Sequence, residues 1–469
     1  MTPDNVSPAQ ILRDLWTAAG GDPAALSRVT LTGEEPALAS SFRVGAAAQA
    51  TIAAAALAAA EIHRQRGGPA QSVAVDVRHA AVEFRSERYM RIAGKPPASP
   101  WDKIAGVYTT GDGRHVRLHT NFPHHREGML KLLGASYDRE AVQAALSRWQ
   151  GEKLETAAAE AGLVATMMRS RAEWAAHPQG QAVAQLPVLE ISRIGEAPAR
   201  PLPPAGERPL SGLRVADLTR VIAGPVCGRT LAAHGADVMR ITAPHLPGLA
   251  ELDTDTGRGK LSAALDLRAD EDRERLTQLL REAHIFVQGY RPGGLAKLGF
   301  SPEACAEIRP GIVAVTLSAY GHIGPWAARH GFDSLVQTAS GLNHAEAETA
   351  GVLPRPKELP AQALDHASGY LMAFGAMMAL ARKAREGGSW HVRVSLAQTG
   401  HWFAGLGRLE NGFAGPDPKS ADIADLLQET DTPFGRLTFV RHAAQLSETP
   451  AFWARPPVPL GTHAPVWPI

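Results

Sequence analysis

The chain has 469 residues, 45% of them hydrophobic, and a formal net charge of +1. It is therefore long enough for two or three domains with an ordinary globular core. A charge so close to zero gives no support for a nucleic acid or an acidic partner. The only cysteines, Cys227 and Cys305, exclude a disulfide framework and a metal-type cysteine spacing.

The N-terminal segment, MTPDNVSPAQILRDLW, lacks the basic region followed by an apolar region that marks an export signal. The most apolar run, ATIAAAALAAA at residues 50–60, is too short and too rich in alanine to span a bilayer. We therefore expect a soluble cytoplasmic protein that binds neither a membrane nor nucleic acid.

The first part of the chain predicts mixed helix and strand. Residues 46–78 predict an alanine-rich helix, a stop at Gly67 and Gly68, and an alternating strand. Glycine suits a helix C-terminus that needs a left-handed residue. Apolar spacing then predicts amphipathic helices over 139–149 and 154–178.

A break in composition occurs near residues 195–210, in the stretch GEAPARPLPPAGERPLSG. Its prolines and glycines are typical of a linker or a surface crossover. We therefore predict a first half over 1–200 that contains a small domain at about 101–180. A linker over 201–210 and a large domain with a C-terminal tail over 211–469 follow.

Strands and helices alternate after the linker. The strand at 213–218, a helix at 226–234 and the strand at 237–242 predict one right-handed βαβ unit. Further strands are predicted at 261–267, 284–290 and 311–320. The pattern predicts an α/β fold with a doubly wound, mostly parallel sheet. Its ligand should bind beyond the C-terminal strand ends, in loops 219–225, 289–294 and 318–325. The loop sequence AGPVCG lacks the nicotinamide fingerprint, and the chain has no P-loop.

Asp365 stands at the start of a long predicted helix. It follows Pro360 in a run that ends at Gly387-Gly388, ELPAQALDHASGYLMAFGAMMALARKAREGG. The positive end of the helix dipole would keep this carboxylate ionised, and an ionised carboxylate can form covalent intermediates. The alternative is that Asp365 only caps the helix, since aspartate is a preferred N-cap residue.

The order of helix, Gly-Gly pair and strand occurs in both halves. Aligning the two glycine pairs places Gly45 opposite Asp365. If the halves are related, as we favour, the first half has no nucleophile at this position. The alternative is chance, because this order of elements is common in α/β proteins.

Three stretches together resemble family III CoA-transferases, the group of formyl-CoA transferase, carnitine CoA-transferase and bile-acid-inducible protein F. They are residues 210–241, the sequence GFDSLVQTASGL at 331–342, and the helix that begins near Asp365. The resemblance implies a Rossmann-like large domain and a small α+β domain. It also implies that Asp365 is the nucleophile that attacks an acyl-CoA thioester, and that no cofactor is permanently bound. Coenzyme A and its acyl thioesters would be substrates, together with a carboxylic acid.

The same resemblance implies which residues contact the CoA portion. YRPGGLAKLGF at 290–300 and SAYGHIGPW at 318–326 are similar to family segments that do so. The implied CoA-binding residues are Ile222, Ala223, Tyr290, Arg291, Lys297 and Tyr320. Gly289 replaces an asparagine often present in the family, which puts one polar contact in doubt.

The chain departs from the usual family order, because its only clear small domain precedes the large domain. Family members form dimers of interlocked chains, so the resemblance implies a homodimer. The parts could pack within one chain or between two chains, and the sequence leaves both open.

Racemisation of an acyl-CoA and non-catalytic binding of an acyl-CoA are the two alternative functions. The 2-methylacyl-CoA racemases share this fold and carry a histidine in a GHD motif, but this chain reads Gly331-Phe332-Asp333. Phenylalanine cannot exchange a proton, which disfavours racemisation. The rearranged order leaves room for a non-catalytic acyl-CoA-binding protein. His119, His124 and His125 fit no standard zinc spacing, so no metal is predicted.

Overall fold

The computed structural model of the protein describes residues 6–99 and 101–468. Within them the helices are Pro8–Ala18 (α1), Val44–Gln65 (α2), Val77–Glu83 (α3), Ser86–Tyr89 (α4), Pro123–Leu133 (α5), Arg139–Leu146 (α6), Gly151–Glu160 (α7), Arg171–Ala176 (α8), Pro178–Ala184 (α9), Ala223–Ala233 (α10), Ala250–Thr256 (α11), Asp270–Glu282 (α12), Pro302–Ile308 (α13), Asp333–Ala339 (α14), Leu342–Thr349 (α15), Ala363–Glu386 (α16) and Leu396–Gly405 (α17). The strands are Val29–Thr32 (β1), Val73–Asp76 (β2), Arg91–Ile92 (β3), Gly106–Thr109 (β4), His115–Leu118 (β5), Ala165–Met167 (β6), Glu190–Gly195 (β7), Arg214–Leu218 (β8), Asp237–Thr242 (β9), Lys260–Ala264 (β10), Ile285–Gln288 (β11), Val313–Ser318 (β12), Ser389–Ser395 (β13), Leu427–Thr432 (β14), Gly435–Val440 (β15) and Ala444–Leu446 (β16). Short 3₁₀ turns occupy Pro23–Arg28, Ala296–Leu298, Gly412–Ala414 and Ser420–Leu426.

A seven-stranded sheet forms the centre of the large domain, in the order β10-β9-β8-β11-β12-β13-β7. Every neighbouring pair is parallel except β13 with β7. The runs of buried valine, isoleucine and alanine in these strands suit a parallel sheet that is covered by helices on both faces. The prediction of a doubly wound, mostly parallel α/β fold is confirmed.

The βαβ unit of β8, α10 and β9 differs in one detail from its prediction. Helix α10 begins at Ala223, three residues before the predicted start. Val221 just before it has a φ of 73°, a left-handed conformation that is unusual for a β-branched residue and often marks a functional turn. This turn lies at the C-terminal end of β8.

Helices α2 and α16 pack against each other in the core, and both are buried along nearly their whole length. The apolar run at 50–60 is part of α2, which has 22 residues. The expectation that this segment is too short to span a bilayer therefore underestimated its length. By length and by its mean hydropathy of 1.4, α2 has the character of a membrane span, but that stretch is completely buried within the fold. Burial against α16 accounts for its apolar surface, as in a core helix.

The same local topology occurs twice in the chain. Strand β13, after α16, pairs in parallel with β12 and antiparallel with β7. Strand β2, after α2, pairs in parallel with β1 and antiparallel with β16. Each half of the chain supplies the antiparallel strand of the other half. Strand β7 precedes the linker but pairs with β13 after it, whereas β16 in the C-terminal tail pairs with β2 in the first half. This arrangement supports the relatedness of the halves and shows them packed within one chain.

The small domain consists of the antiparallel sheet β4-β5-β6 and helices α5 to α7, with a hydrophobic core of its own. The predicted single helix over 154–178 is wrong. Helix α7 ends before Gly162, whose φ is 70°, and strand β6 and two short helices follow. A left-handed glycine stops a helix, and the next residues pair with β5. The domain boundary predicted at 201–210 stays a prediction. Strand β7 lies before this boundary, but it pairs with β13 of the large-domain sheet, which lies after it.

Candidate active site

Asp365 is the third residue of α16, and its backbone N–H is held by another carboxylate. The Oδ2 atom of Asp333 accepts hydrogen bonds from the backbone N–H groups of Leu364 at 2.8 Å and Asp365 at 2.9 Å. Asp333 therefore satisfies the free N–H groups that begin α16, as a capping residue would. Gln362, the residue before the helix, makes no side-chain cap. The alternative in which Asp365 is the cap is thus wrong.

Asp365 lines a cavity at the edge of the large-domain sheet. Within the described part of the chain no hydrogen bond to its side-chain oxygens is found, although the residue is only 7% exposed. A buried carboxylate that no donor stabilises is available to react with a ligand in the cavity.

The electrostatic environment of Asp365 opposes its negative charge. Burial raises its pKa well above the usual range, and the nearby carboxylates of Asp333 and Glu87 raise it further. Burial and the two like charges therefore oppose the stabilisation that the helix dipole would give to an ionised Asp365. Burial also raises the pKa of Asp333 to about 6, although the N–H of Asp365, Gln337 and the N–H of Leu364 donate hydrogen bonds to its carboxylate and oppose the rise.

Glu87 comes from the first half and reaches the start of α16 through His366. The Nε2 atom of His366 lies 3.1 Å from a carboxylate oxygen of Glu87, and the imidazole stacks on Phe84. His366 thus pairs with Glu87 and not with its neighbour Asp365, in line with the argument that the two adjacent residues form no dyad. The first half contributes directly to the surroundings of Asp365.

The cavity has a volume of about 440 Å³ and lies beyond the C-terminal ends of the parallel strands. Leu218 at the end of β8, Gly289 after β11 and Leu317 in β12 line it. Of the residues predicted from sequence, the cavity brings together Ile222, Ala223, Tyr290, Arg291 and Asp365. A second cavity of about 450 Å³ lies near the other end of α16 and contains none of them.

Lys297 and Tyr320 do not line this cavity. Lys297 is exposed on the turn Ala296–Leu298, whose neighbours Leu295 and Leu298 face the cavity instead. Tyr320 is 3% exposed and packs edge-on against Trp326, with ring centroids 5.1 Å apart. Its position gives no support to the predicted contact with the pantetheine or the thioester.

Arginines and histidines dominate the polar part of the cavity wall. They are Arg220, Arg268, Arg291, Arg329, His124, His125, His245 and His330. The acidic residues there are Asp266, which pairs with Arg268 at 2.6 Å, and Asp365. An anionic ligand therefore suits this cavity.

Cys227 and His119 are both packed in the interior of the fold. Cys227 is completely buried, and burial beside Asp217 raises the pKa of its thiol, so it is a packed residue and not a reactive one. His119 stacks on Phe332 with ring centroids 3.9 Å apart. Across the described residues, no three His, Cys, Asp or Glu side chains are grouped as a metal ion would need.

A mostly parallel α/β sheet, an arginine-containing cavity at its strand ends and a buried carboxylate without a hydrogen-bond donor form a site suited to an anionic ligand. Comparison with known proteins identifies the family. The chain belongs to CoA-transferase family III, whose family model matches residues 21–200 and 210–424, well over half of the chain.

Similar proteins are named as acyl-CoA transferases. An acetyl-coenzyme A transferase of Hypoxylon pulicicidum is 28% identical over 389 residues, 73% of this chain and 65% of the relative. A probable fatty acyl-CoA transferase of Mycobacterium tuberculosis is 32% identical over 202 residues, 40% of this chain and 50% of the relative. A crystal structure of a hypothetical protein from Mycobacterium tuberculosis is 31% identical, covers 41% of this chain and 56% of that chain, and has a TM-score of 0.38. The chain thus matches two thirds or less of the length of each.

Proposed function

We propose that this protein transfers coenzyme A from an acyl-CoA to a carboxylic acid, with Asp365 as the covalent nucleophile. The observation that carries the proposal is the position of Asp365. Its carboxylate borders a basic cavity at the strand ends, while Asp333 takes the helix N–H groups that would otherwise stabilise it. The nucleophile is therefore held in place and left unpaired.

The proposed reaction exchanges one thioester for another. The Asp365 carboxylate attacks the thioester carbonyl, a mixed anhydride forms, and the CoA thiolate leaves. The thiolate then attacks the aspartyl carbonyl of the anhydride, which releases the donor acid and leaves an aspartyl-CoA thioester. The incoming carboxylate attacks this thioester, a second anhydride forms, and the thiolate attacks its acyl carbonyl. The products are a new acyl-CoA and the restored carboxylate.

The neighbouring carboxylates favour the covalent states of this reaction. Asp333 and Glu87 raise the free energy of the ionised Asp365, but the anhydride and the thioester of Asp365 carry no charge. The repulsion is relieved when the aspartate is acylated, so the environment destabilises the reactant more than the intermediates. The raised pKa also makes the carboxylate a stronger base and a better nucleophile.

The cavity fits the anionic part of CoA. Arg220 and Arg291 lie on the loops after β8 and β11, where ligands of open α/β sheets bind. Arginine pairs well with phosphate. We place the CoA nucleotide along these loops, with the thioester reaching toward Asp365. Tyr290, Ile222 and Ala223 supply the apolar part of the wall.

The oligomeric state and location are further proposals. We propose a cytoplasmic homodimer, since the family III resemblance implies dimers. The exchange of β7 and β16 within one chain means that such a dimer would need no further exchange between subunits. Light scattering on the purified chain distinguishes a dimer from a monomer of 49.8 kDa.

An oxygen-isotope experiment tests the covalent route. An acceptor acid that is labelled with ¹⁸O in its carboxylate should leave one labelled oxygen on Asp365 when it departs as an acyl-CoA. Mass spectrometry of the peptide that contains residue 365 detects this label, and Asp365→Asn is the matched control. Turnover without label in the peptide would contradict the proposal. Acyl-CoA binding without any turnover would instead indicate a non-catalytic binding protein.

A further inference from the structure

A short segment of the first half contacts the start of α16. It consists of the end of α3 and helix α4, residues 83–89. The Nε2 atom of His366 lies 3.1 Å from the Oε2 atom of Glu87. One turn further along α16, the hydroxyl of Tyr370 donates a hydrogen bond of 2.5 Å to Glu83. Residues four apart lie on the same face of a helix, so the two glutamates contact one face of α16.

The segment is anchored to the large domain on both sides of this contact. The ring of Phe84 stacks on the imidazole of His366 with ring centroids 5.4 Å apart. The hydroxyl of Ser86 donates a hydrogen bond of 2.8 Å to Asp255 of α11 and accepts one of 2.9 Å from Arg229 of α10. All five of these residues are buried. A buried frame whose polar groups are paired in this way is rigid, and it fixes the place from which the neighbouring Glu87 reaches α16.

The contact between Glu87 and His366 is a charge-assisted hydrogen bond with a defined direction. Burial opposes the ionisation of Glu87, but the hydrogen bond from His366 and the charges of His366 and Arg88 hold the pKa of Glu87 below its ordinary value. An ionised carboxylate only accepts hydrogen bonds, so the Nε2 atom of His366 carries the donated hydrogen. The Nδ1 atom of His366 has no partner among the described residues. Glu87 therefore orients this imidazole.

This hydrogen bond acts on the site through Asp365. Asp365 lines the cavity, whereas neither His366 nor Glu87 does. Asp333 already holds the backbone N–H of Asp365 at 2.9 Å, and the next residue, His366, is held by Glu87. The first turn of α16 is thus tied at two successive residues, once by the second half of the chain and once by the first half.

We propose that Glu87 is a positioning residue of the transfer reaction. By holding His366, it fixes the rotation of the first turn of α16 and keeps the carboxylate of Asp365 at the cavity wall. The inference rests on the proposed function, in which Asp365 is the nucleophile, and it gives the first half of the chain a role in the chemical step. A misplacement on the order of 1 Å can cost about a hundredfold in rate. The hydrogen bond should therefore affect the acylation of Asp365 far more than the binding of acyl-CoA.

Two substitutions of Glu87 separate the hydrogen bond from the charge. Glu87→Gln removes the charge but keeps an oxygen that accepts the N–H of His366, whereas Glu87→Ala removes both. The assay is a single turnover with acyl-CoA, in which the rate of Asp365 acylation is measured on its pH-independent plateau. Relative to Glu87→Gln, Glu87→Ala should lower this plateau rate by about tenfold to a hundredfold, with the half-saturating concentration of acyl-CoA unchanged. Equal plateau rates in the two variants would overturn the inference.

Substitutions of His366 repeat the test from the other side of the contact, and they keep it decisive if Glu87→Ala does not fold. His366→Gln keeps an N–H for Glu87, and His366→Leu removes it. His366→Leu should lower the plateau rate, and His366→Gln should retain most of it. The loss in the double variant His366→Leu with Glu87→Ala should be close to that of either single variant. Fully additive losses would show that the two residues act independently and would overturn the inference.

Glu61→Ala is the matched control. Glu61 is another buried glutamate of the first half and pairs with Arg64 at 2.9 Å, but it lines the second cavity near the other end of α16. This substitution should lower the melting temperature and leave the plateau rate of acylation unchanged. If Glu87→Ala behaved in the same way, Glu87 would have a structural role alone and the inference would be wrong.

The two proposals fail in different ways. If no acyl-CoA in a panel that includes acetyl-, butyryl- and succinyl-CoA labels Asp365 in the native protein, the covalent function itself is wrong. If Asp365 is labelled and its acylation does not depend on the hydrogen bond between Glu87 and His366, only the positioning role of Glu87 is wrong.

Discussion

Replacing Asp333 by asparagine should shift the pH dependence of Asp365 and change the fold little. The Oδ2 atom of Asp333 accepts a hydrogen bond from the backbone N–H of Asp365 at 2.9 Å, so the negative charge of Asp333 lies close to the Asp365 carboxylate. Two unit charges about 6 Å apart repel by roughly 3 kcal/mol with an effective dielectric constant near 20. A repulsion of that order is large enough to move the titration of Asp365 measurably.

The sign of the effect follows from which form reacts. Only the ionised Asp365 attacks a thioester, so the rate falls about tenfold for each pH unit below its raised pKa. Asp333→Asn removes one of the two like charges that raise this pKa. The acid limb of the rate profile should therefore move to lower pH, and the rate on that limb should rise at any fixed pH. The plateau rate should also fall, because a less basic carboxylate is a weaker nucleophile.

The assay is the rate of Asp365 acylation in a single turnover between pH 5 and 9, followed by quench and mass spectrometry. Asparagine keeps one side-chain oxygen for the N–H groups of α16, so the stability should drop by only about 1 kcal/mol. Asp76→Asn is the matched control, since Asp76 caps α3 with a bond of 3.2 Å to His79 and is absent from the cavity wall. An acid limb that stays in place, or moves to higher pH, would refute the electrostatic argument.

Three further outcomes are expected. Asp365→Asn should reduce transfer by several orders of magnitude without lowering the melting temperature, and near-normal turnover would reject the nucleophile. Arg291→Ala should raise KM for acyl-CoA about tenfold, because Arg291 lines the cavity. Lys297→Ala, at an exposed position outside the cavity wall, should change this KM less than twofold. Titration calorimetry with CoA compares the two variants, and a larger effect at Lys297 would contradict the position assigned to CoA. Residues 205–469 expressed alone should aggregate, because α16 would lose its contact with α2 and β13 would lose its pairing with β7. Co-expression of residues 1–204 should restore solubility. A soluble, active fragment 205–469 would show that the first half is an appendage.

The fold of the large domain was predictable because its signals are local. Buried apolar strands alternate with helices after the linker, and the glycines at 387 and 388 have the positive φ angles that the end of α16 requires. The position of Asp365 at the start of α16 and the loops that line the cavity follow from the same pattern.

The partners of the nucleophile were not predictable in this way. Glu87 is 278 residues before Asp365, and it reaches the site only because α3 and α4 pack on the second half. Asp333 was noted for its place in the Gly331-Phe332-Asp333 motif, but its role as the cap of α16 depends on a tertiary contact. The raised pKa of Asp365 depends on burial and on both residues, so the direction of its shift could not be predicted from the sequence.

The exchange of β7 and β16 was also beyond the sequence. A three-residue strand such as β16 carries almost no local signal, and its partner β2 lies in the other half of the chain. The repeated order of helix, glycine pair and strand indicated relatedness. It could not show whether the halves complete each other within one chain.

The most direct test of a covalent aspartyl intermediate is hydroxylamine trapping at residue 365. The protein is incubated with a panel of acyl-CoAs, treated with hydroxylamine and digested, and the peptide is sequenced by mass spectrometry. The account predicts a hydroxamate on Asp365 that requires acyl-CoA and is lost in Asp365→Asn. A modification on Asp333 or Glu87 instead, or active transfer with no trapped aspartate, would contradict it.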